Sequence, residues 1–195
     1  MTPKGSPRNL IDRPDSSRRT FIKQGLLCLT CLALPLPSLA RTMETGKSER
    51  SISLFNTHTG ESLSSVVYWA DGQYRPEGLE RINFLLRDHR NGKIETIDTL
   101  LLDQLHRLNR RLGNRDPYHI ISGYRSPATN RKLQQAGRAV ATTSFHLTGQ
   151  AVDIRLPKVK IAQLRRAALD LGAGGVGYYP RSNFVHLDTG PRRSW

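Results

Sequence analysis

Ser144-Phe-His-Leu-Thr-Gly-Gln-Ala-Val-Asp-Ile-Arg-Leu156 holds the change of pattern on which the reading of this chain turns. Through Thr148-Gly149 it is a polar loop with turn chemistry. From Gln150 to Leu156 it alternates as a strand, with Ala151 and Asp153 on one face and Val152 and Ile154 on the other. An imidazole, His146, thus precedes a strand carboxylate, Asp153, by seven residues. A second apolar run, Phe184-Val-His-Leu-Asp188, reads as another strand whose His186 and Asp188 share a face. If the two strands are neighbours, His146, Asp153 and His186 converge on one ion. Two nitrogens and one oxygen leave a fourth zinc position free for water, as catalytic rather than structural zinc requires. Hydrolysis also needs a base for that water and a cation for the oxyanion. Asp188 is the nearest carboxylate and Arg125 the best-placed cation in sequence. Asp188 stays divided between base, a group that holds a ligand imidazole, and a cap on Thr189-Gly190; Arg125 stays divided between oxyanion partner and plain ion pair. The chain reads as a zinc hydrolase.

Outward from these strands the elements follow in order. Ile52 and Leu54, then Thr59-Gly60, then Val66 to Trp69 give a β-hairpin. Asp71-Gly72 turns into a helix over Glu77–Arg90, with Leu79, Ile82, Leu85 and Leu86 on one side and Asn91-Gly92 at its end. A second helix covers Ile97–Leu112, with Leu101, Leu105, Leu108 and Leu112 at helical spacing and Arg107, Arg110 and Arg111 on a solvated face. Tyr118–Ser122 is a strand, and Ser126-Pro127 starts a helix that runs to Gln135 before Gly137. A last helix spans Val159–Leu171. Gly172–Gly177 is read as a flexible loop and not a phosphate loop, since no Lys-Ser/Thr follows. His58, His89, His106 and His119 are surface or core residues. The fold class is α+β: a small antiparallel sheet, helices packed on one side, and the zinc site at the sheet.

At 195 residues the chain has room for one domain and a leader. Ser17-Arg-Arg-Thr-Phe-Ile-Lys23 is a twin-arginine signal, followed by the apolar Gly25–Ala40, which Pro35 and Pro37 interrupt. It ends in Ser38-Leu-Ala40, a small-x-small exit, and is too broken for a membrane span of about 20 residues. An uncleaved anchor, or a chance arginine pair before a buried helix, is the alternative. The expected organisation is a signal peptide at 1–40, a flexible segment at 41–50 and a zinc domain at 51–195. The protein then meets the membrane only in transit and works in the periplasm. Both cysteines, Cys28 and Cys31, lie in the leader, so metal ligands after processing are confined to His, Asp and Glu. Folded export suits a protein that takes up its cofactor before leaving the cytoplasm. The net charge is +14, and residues 41–195 keep +10 (24 basic against 14 acidic). That favours polyanions, but the basic residues are scattered and no nucleic-acid motif is present. Nucleic acid is therefore not expected as a partner.

Three ordered motifs carry a family resemblance: Ser122-Gly-Tyr-Arg-Ser126, Ser144-x-His146-x-x-Gly149-x-Ala151-x-Asp153, and Gly175-Val-Gly-Tyr-Tyr-Pro180 with Phe184-Val-His186-Leu-Asp-Thr-Gly190. They resemble the zinc D-Ala-D-Ala metallopeptidase superfamily, and within it the exported murein endopeptidase K group, over about Ser51 to Trp195. The resemblance implies a zinc enzyme that cuts peptide cross-links of peptidoglycan, with His146, Asp153 and His186 as ligands. It implies that Arg125 binds a substrate carbonyl or carboxylate. The bond would lie between two diaminopimelate residues or between D-Ala and diaminopimelate. A carboxypeptidase trimming a D-residue and a non-catalytic wall-binding zinc module are the rival readings. One departure stands out: where many superfamily members place an acid or His just before the last ligand, this chain has Asn183 and Phe184.

Overall fold

Alternating burial along β1 (Glu49–Asn56) and β2 (Ser62–Ala70) forms the expected hairpin, with Ile52 paired to Val66. The computed structural model describes residues 49–138 and 140–195. The expected leader, its Ala40 exit and the segment up to Ser48 lie outside the described residues, while Glu49 and Arg50 of that segment are strand. Asp71 and Gly72 both adopt positive φ (53° and 80°), which folds the chain back as a short β3 (Gln73–Tyr74) before any helix begins. α1 (Pro76–Leu85) stops short of the expected Arg90. The reason is Asp88: its buried carboxylate accepts from the Arg90 amide (3.0 Å) and the Ser126 amide (3.0 Å), a turn that competes with helix. α2 (Thr99–Leu112) starts where Asp98 caps the Leu100 amide at 2.9 Å and ends at Gly113, φ 58°. β4 (Tyr118–Ser122) and α3 (Pro127–Gln135) have the expected limits, Ser126 capping the Thr129 amide at 3.3 Å.

The remaining elements are β5 (Ala151–Arg155), α4 (Ile161–Leu171), β6 (Gly175–Tyr179), β7 (Phe184–Asp188) and β8 (Arg193–Ser194). All strands join one eight-stranded sheet in the order β3-β2-β1-β4-β5-β7-β6-β8. The fold is α+β, but the expectation of a small antiparallel sheet is corrected. The sheet is mixed, because β1 pairs parallel with β4 and β6 parallel with β8. The first parallel contact follows from the long crossover through β2, β3, α1 and α2 that separates β1 from β4. The segment Gly172–Gly177, expected as a loop, supplies most of β6; its glycines hide strand periodicity because they carry no side chain to alternate. α1, α2 and α4 share one apolar core with the strands, in which Leu101, Leu105, Leu108 and Leu164 meet Leu54, Ile120, Ile154 and Val185. That leaves the other face of β5 and β7 for polar side chains. Among the described residues no helix is long and apolar enough to cross a membrane.

Close approach of α1 to β2 depends on Gly78, where a Cβ would overlap the Val67 carbonyl oxygen. Gly78→Ala is expected to destabilise the fold by about 1–3 kcal/mol through overpacking against rigid backbone. Urea unfolding measures this, and an unchanged midpoint would contradict the α1–β2 packing.

Candidate metal centre

Strand register assembles the site. Asp153 on β5 stands directly opposite His186 on β7, and Ala151 opposite Asp188, so both carboxylates and the imidazole lie on the face away from the apolar core. His146 comes from a short 3-10 turn, Phe145–Thr148, capped by Ser144 Oγ on its own amide. The turn ends at Gly149 (φ 68°), where a Cβ would overlap the Thr96 carbonyl, so glycine alone fits both the conformation and the space. That turn swings the imidazole back over β5, as Thr148-Gly149 led us to expect.

Three ligand-type atoms converge: His146 Nε2, His186 Nδ1 and Asp153 Oδ1 are separated by 3.2, 3.3 and 2.9 Å. Tetrahedral zinc with bonds of about 2.0–2.1 Å sets its ligand atoms ~3.3 Å apart, so the triangle is of the right size. The protons point the right way too. His146 Nδ1 lies 2.8 Å from the Gly123 carbonyl oxygen, which can only accept, so this nitrogen carries the hydrogen. His186 Nε2 donates to Asp188 Oδ2 at 3.0 Å. In the neutral rings both inward nitrogens are then bare lone pairs beside a carboxylate oxygen, an arrangement that a cation relieves. All three side chains are buried, and the group fits a metal ion. Burial works against ionised Asp153, yet the His146 and His186 imidazoles hold its carboxyl well below the usual range. Burial likewise pulls His186 down, but Asp153 and Asp188 raise it to about 8.

Arg125 borders the same cavity, of about 180 Å³. Its backbone is fixed by the Arg125 amide on the His146 carbonyl, 3.0 Å. Its guanidinium makes only long contacts, 3.3 Å to Asn130 Oδ1 and 3.4 Å to Ser122 Oγ, and sits 4.0 Å from Asp153 Oδ2. The buried Nε has no partner among the described residues. Burial lowers its pKa and Asp153 opposes that.

Asp188 sits differently from a general base. It is fully buried and absent from the cavity wall. Its Oδ1 accepts from the Gly175 amide (3.0 Å) and the Gly190 amide (2.9 Å), while Oδ2 faces His186. Burial opposes its charge, but His186, Arg193 and the two amides keep it well below the usual carboxylate range. The geometry thus places Asp188 behind the His186 imidazole, an alternative left open in the sequence, and away from the cavity. Asp153 is the only carboxylate among the described residues that lines the cavity.

Sequence reasoning missed the C-terminal contribution. β8 carries Arg193 onto Asp188 and Trp195 onto the site face, where the Trp195 ring lies 5.3 Å from that of His186. Trp195 Nε1 donates to Tyr179 Oη at 2.8 Å, and Tyr179 stacks on Phe184 at 4.5 Å. Gly177, opposite His186, is bare because a Cβ would strike the Trp195 and Tyr179 rings. Only the Gly-x-Gly spacing of β6 hinted at this. The other histidines stay apart: His58 and His89 stack on each other at 3.9 Å, His106 bonds the Ser51 carbonyl and His119 tilts against Phe55. Among the described residues, a larger cavity, of about 660 Å³ beside Arg50 and Asp103, brings no comparable set of ligand atoms together.

The family described as peptidoglycan L,D-endopeptidase MepK matches residues 44–195. The peptidoglycan L,D-endopeptidase MepK of Escherichia coli strain K12 is 45% identical over 185 residues, which is 95% of this chain and 100% of its own length. The protein of the same name from Shigella flexneri matches to the same extent, 45% over 185 residues. A probable peptidoglycan L,D-endopeptidase MepK from Haemophilus influenzae Rd is 36% identical over 182 residues, 93% of this chain and 96% of its own.

Proposed function

The chain belongs to the peptidoglycan L,D-endopeptidase MepK family, in the zinc D-Ala-D-Ala carboxypeptidase superfamily, and on that premise we propose that it hydrolyses peptide cross-links of peptidoglycan with zinc held by His146, Asp153 and His186. The observation that carries the reading is the triangle of lone pairs, each imidazole fixed from behind by its own hydrogen bond. Zinc, when bound, supplies a water made acidic enough to attack at neutral pH and a Lewis acid for the scissile carbonyl. His146, His186 and Asp153 would together offset only one of the ion's two charges, so it would keep the positive charge that this chemistry needs.

The chain's own residues do the rest. Arg125, on the cavity wall 4.0 Å from Asp153, would face the oxygen on which charge develops, where a fixed donor in a buried site is worth most. Asp188 orients His186 and does not move a proton of the substrate. With Asp153 a ligand, the cavity offers no separate carboxylate, in keeping with Asn183 and Phe184 upstream of the last ligand. Tyr179 and Trp195 form an aromatic wall along the cavity, suited to the aliphatic part of a peptide side chain. The relatives' name specifies an L,D bond. Of the two cross-links expected, D-Ala to diaminopimelate has a D-residue on the acyl side, so the bond between two diaminopimelate residues fits better. Peptidoglycan lies outside the cytoplasm, and the twin-arginine leader read in residues 1–40 would export the protein to it.

Digestion of purified cross-linked peptidoglycan, followed by mass spectrometry, tests the proposal. New uncross-linked peptides should form, vanish with a chelator and return when zinc is restored. Loss of a terminal residue alone would make the protein a carboxypeptidase. Zinc-loaded, folded protein that binds the wall and cuts nothing would make it a binding module.

A further inference from the structure

We propose that Arg193 is a positioning residue of the metal centre: from the last strand it locks the Asp188 carboxylate, and through it the orientation of His186. The inference rests on the reading that His146, Asp153 and His186 hold zinc. It starts from a buried carboxyl group. Asp188 is fully buried, and a buried polar group persists only when it is hydrogen-bonded and, if charged, paired. Arg193 supplies the pairing as a fork, Nη2 to Oδ2 at 2.6 Å and Nη1 to Oδ1 at 3.1 Å. Among the described residues it is the only arginine or lysine in contact with this carboxylate. The two amides reach Oδ1 alone, so Oδ2, the atom that faces His186, has Arg193 as its one further partner among the described residues. The fork engages both oxygens at once, which favours a guanidinium and a carboxylate in one plane. Oδ2 is thereby held 3.0 Å from His186 Nε2, and the ring turns its Nδ1 inward.

The socket is built around this pair. A Cβ on Gly175 would stand 2.5 Å from Asp188 Oδ2 and 2.6 Å from Arg193 Nη1, so the bare glycine is what lets the two meet. Arg193 itself is gripped by more than its salt bridge. Nη1 also donates to the Pro191 carbonyl (3.1 Å), and the guanidinium lies 5.2 and 5.0 Å from the Phe145 and Trp195 ring centroids. Its strand is tied to β6 by Tyr178 N to the Trp195 carbonyl (2.9 Å) and Trp195 N to the Val176 carbonyl (3.3 Å). A residue seven positions beyond His186 thus reaches back to hold the group behind it.

Zinc affinity by chelator competition should be measured for wild type, Arg193→Ala, Arg193→Lys, Asp188→Asn and the Asp188→Asn/Arg193→Ala double variant. The visible spectrum of the cobalt-loaded proteins and thermal unfolding of the metal-free proteins complete the set. Arg193→Ala should weaken zinc binding about 10–100-fold, the usual effect of losing support behind a ligand, and shift the cobalt bands. Arg193→Lys keeps the charge without the fork and should recover only part of the loss. In the Asp188→Asn background, Arg193→Ala should cost little more. Wild-type affinity and spectrum in Arg193→Ala would overturn the proposal, as would an equal loss in both backgrounds. If Arg193→Ala does not fold, Arg193→Lys decides: a weakened affinity at unchanged melting supports the proposal, and an unchanged affinity overturns it. Failure of the wild type to bind zinc would remove the underlying reading and this inference together, whereas a zinc-binding wild type with an indifferent Arg193 removes this inference alone.

Discussion

Replacing His146 or His186 with alanine is expected to strip zinc from the protein and to lower cross-link cleavage by more than the ~100-fold that losing a group behind a ligand costs. Each imidazole supplies one corner of a triangle whose edges are 2.9 to 3.3 Å, and two remaining ligands do not make a protein zinc site of useful affinity. No cysteine stands among residues 41–195 to substitute for a lost corner. The two variants differ in what they leave behind. His146→Ala frees the Gly123 carbonyl at the end of β4. His186→Ala leaves Asp188 with Arg193 and two amides, still paired, so the fold should survive and the loss be read as chemistry. Metal content by elemental analysis and digestion of cross-linked peptidoglycan measure both effects. One zinc per chain retained in both variants would sink the site.

Arg125→Ala should keep zinc and lose about 10²–10³-fold in kcat/KM, the range for removing one preorganised oxyanion donor. Its guanidinium is 4.0 Å from Asp153 Oδ2, close enough to share the cavity but not a ligand, and its hydrogen bonds to Asn130 and Ser122 are long, 3.3 and 3.4 Å. Where the loss falls also distinguishes two reactions. A donor to the scissile carbonyl acts in the transition state and lowers kcat; a clamp on a free terminal carboxylate binds the ground state and raises KM. The endopeptidase reading expects the first, and equal sensitivity to amidated and free peptide termini. Arg125→Lys should restore little, since one ammonium cannot match several donors in a fixed plane. Unchanged kcat/KM in Arg125→Ala would remove Arg125 from the reaction.

Local chemistry made much of this molecule legible before any coordinates. Ser126-Pro127 marked the start of α3 because a hydroxyl cap and a proline fit the first helical turn in any context. The short apolar runs Tyr118–Ser122 and Phe184–Asp188 marked β4 and β7 at their observed limits. His146, Asp153 and His186 stood out because their residue types and the strand period limit what such a set does. What local patterns do not contain is pairing. β6 was hidden in Gly172–Gly177 because its glycines are bare for the sake of Asp188 and Trp195, residues that sequence places far along the chain. α1 ended early because of a carboxylate that bonds to residue 126, not to its own helix.

The sequence by itself determined an α+β chain and the three candidate ligands, since both follow from residue type and from periods of two and 3.6 residues. Tertiary structure alone decided that the sheet is mixed and eight-stranded, that Asp188 lies behind His186 and off the cavity wall, and that Arg193 and Trp195 reach the candidate site. These depend on which strands become neighbours and in what register, and that is settled by burying one shared apolar face across distant segments.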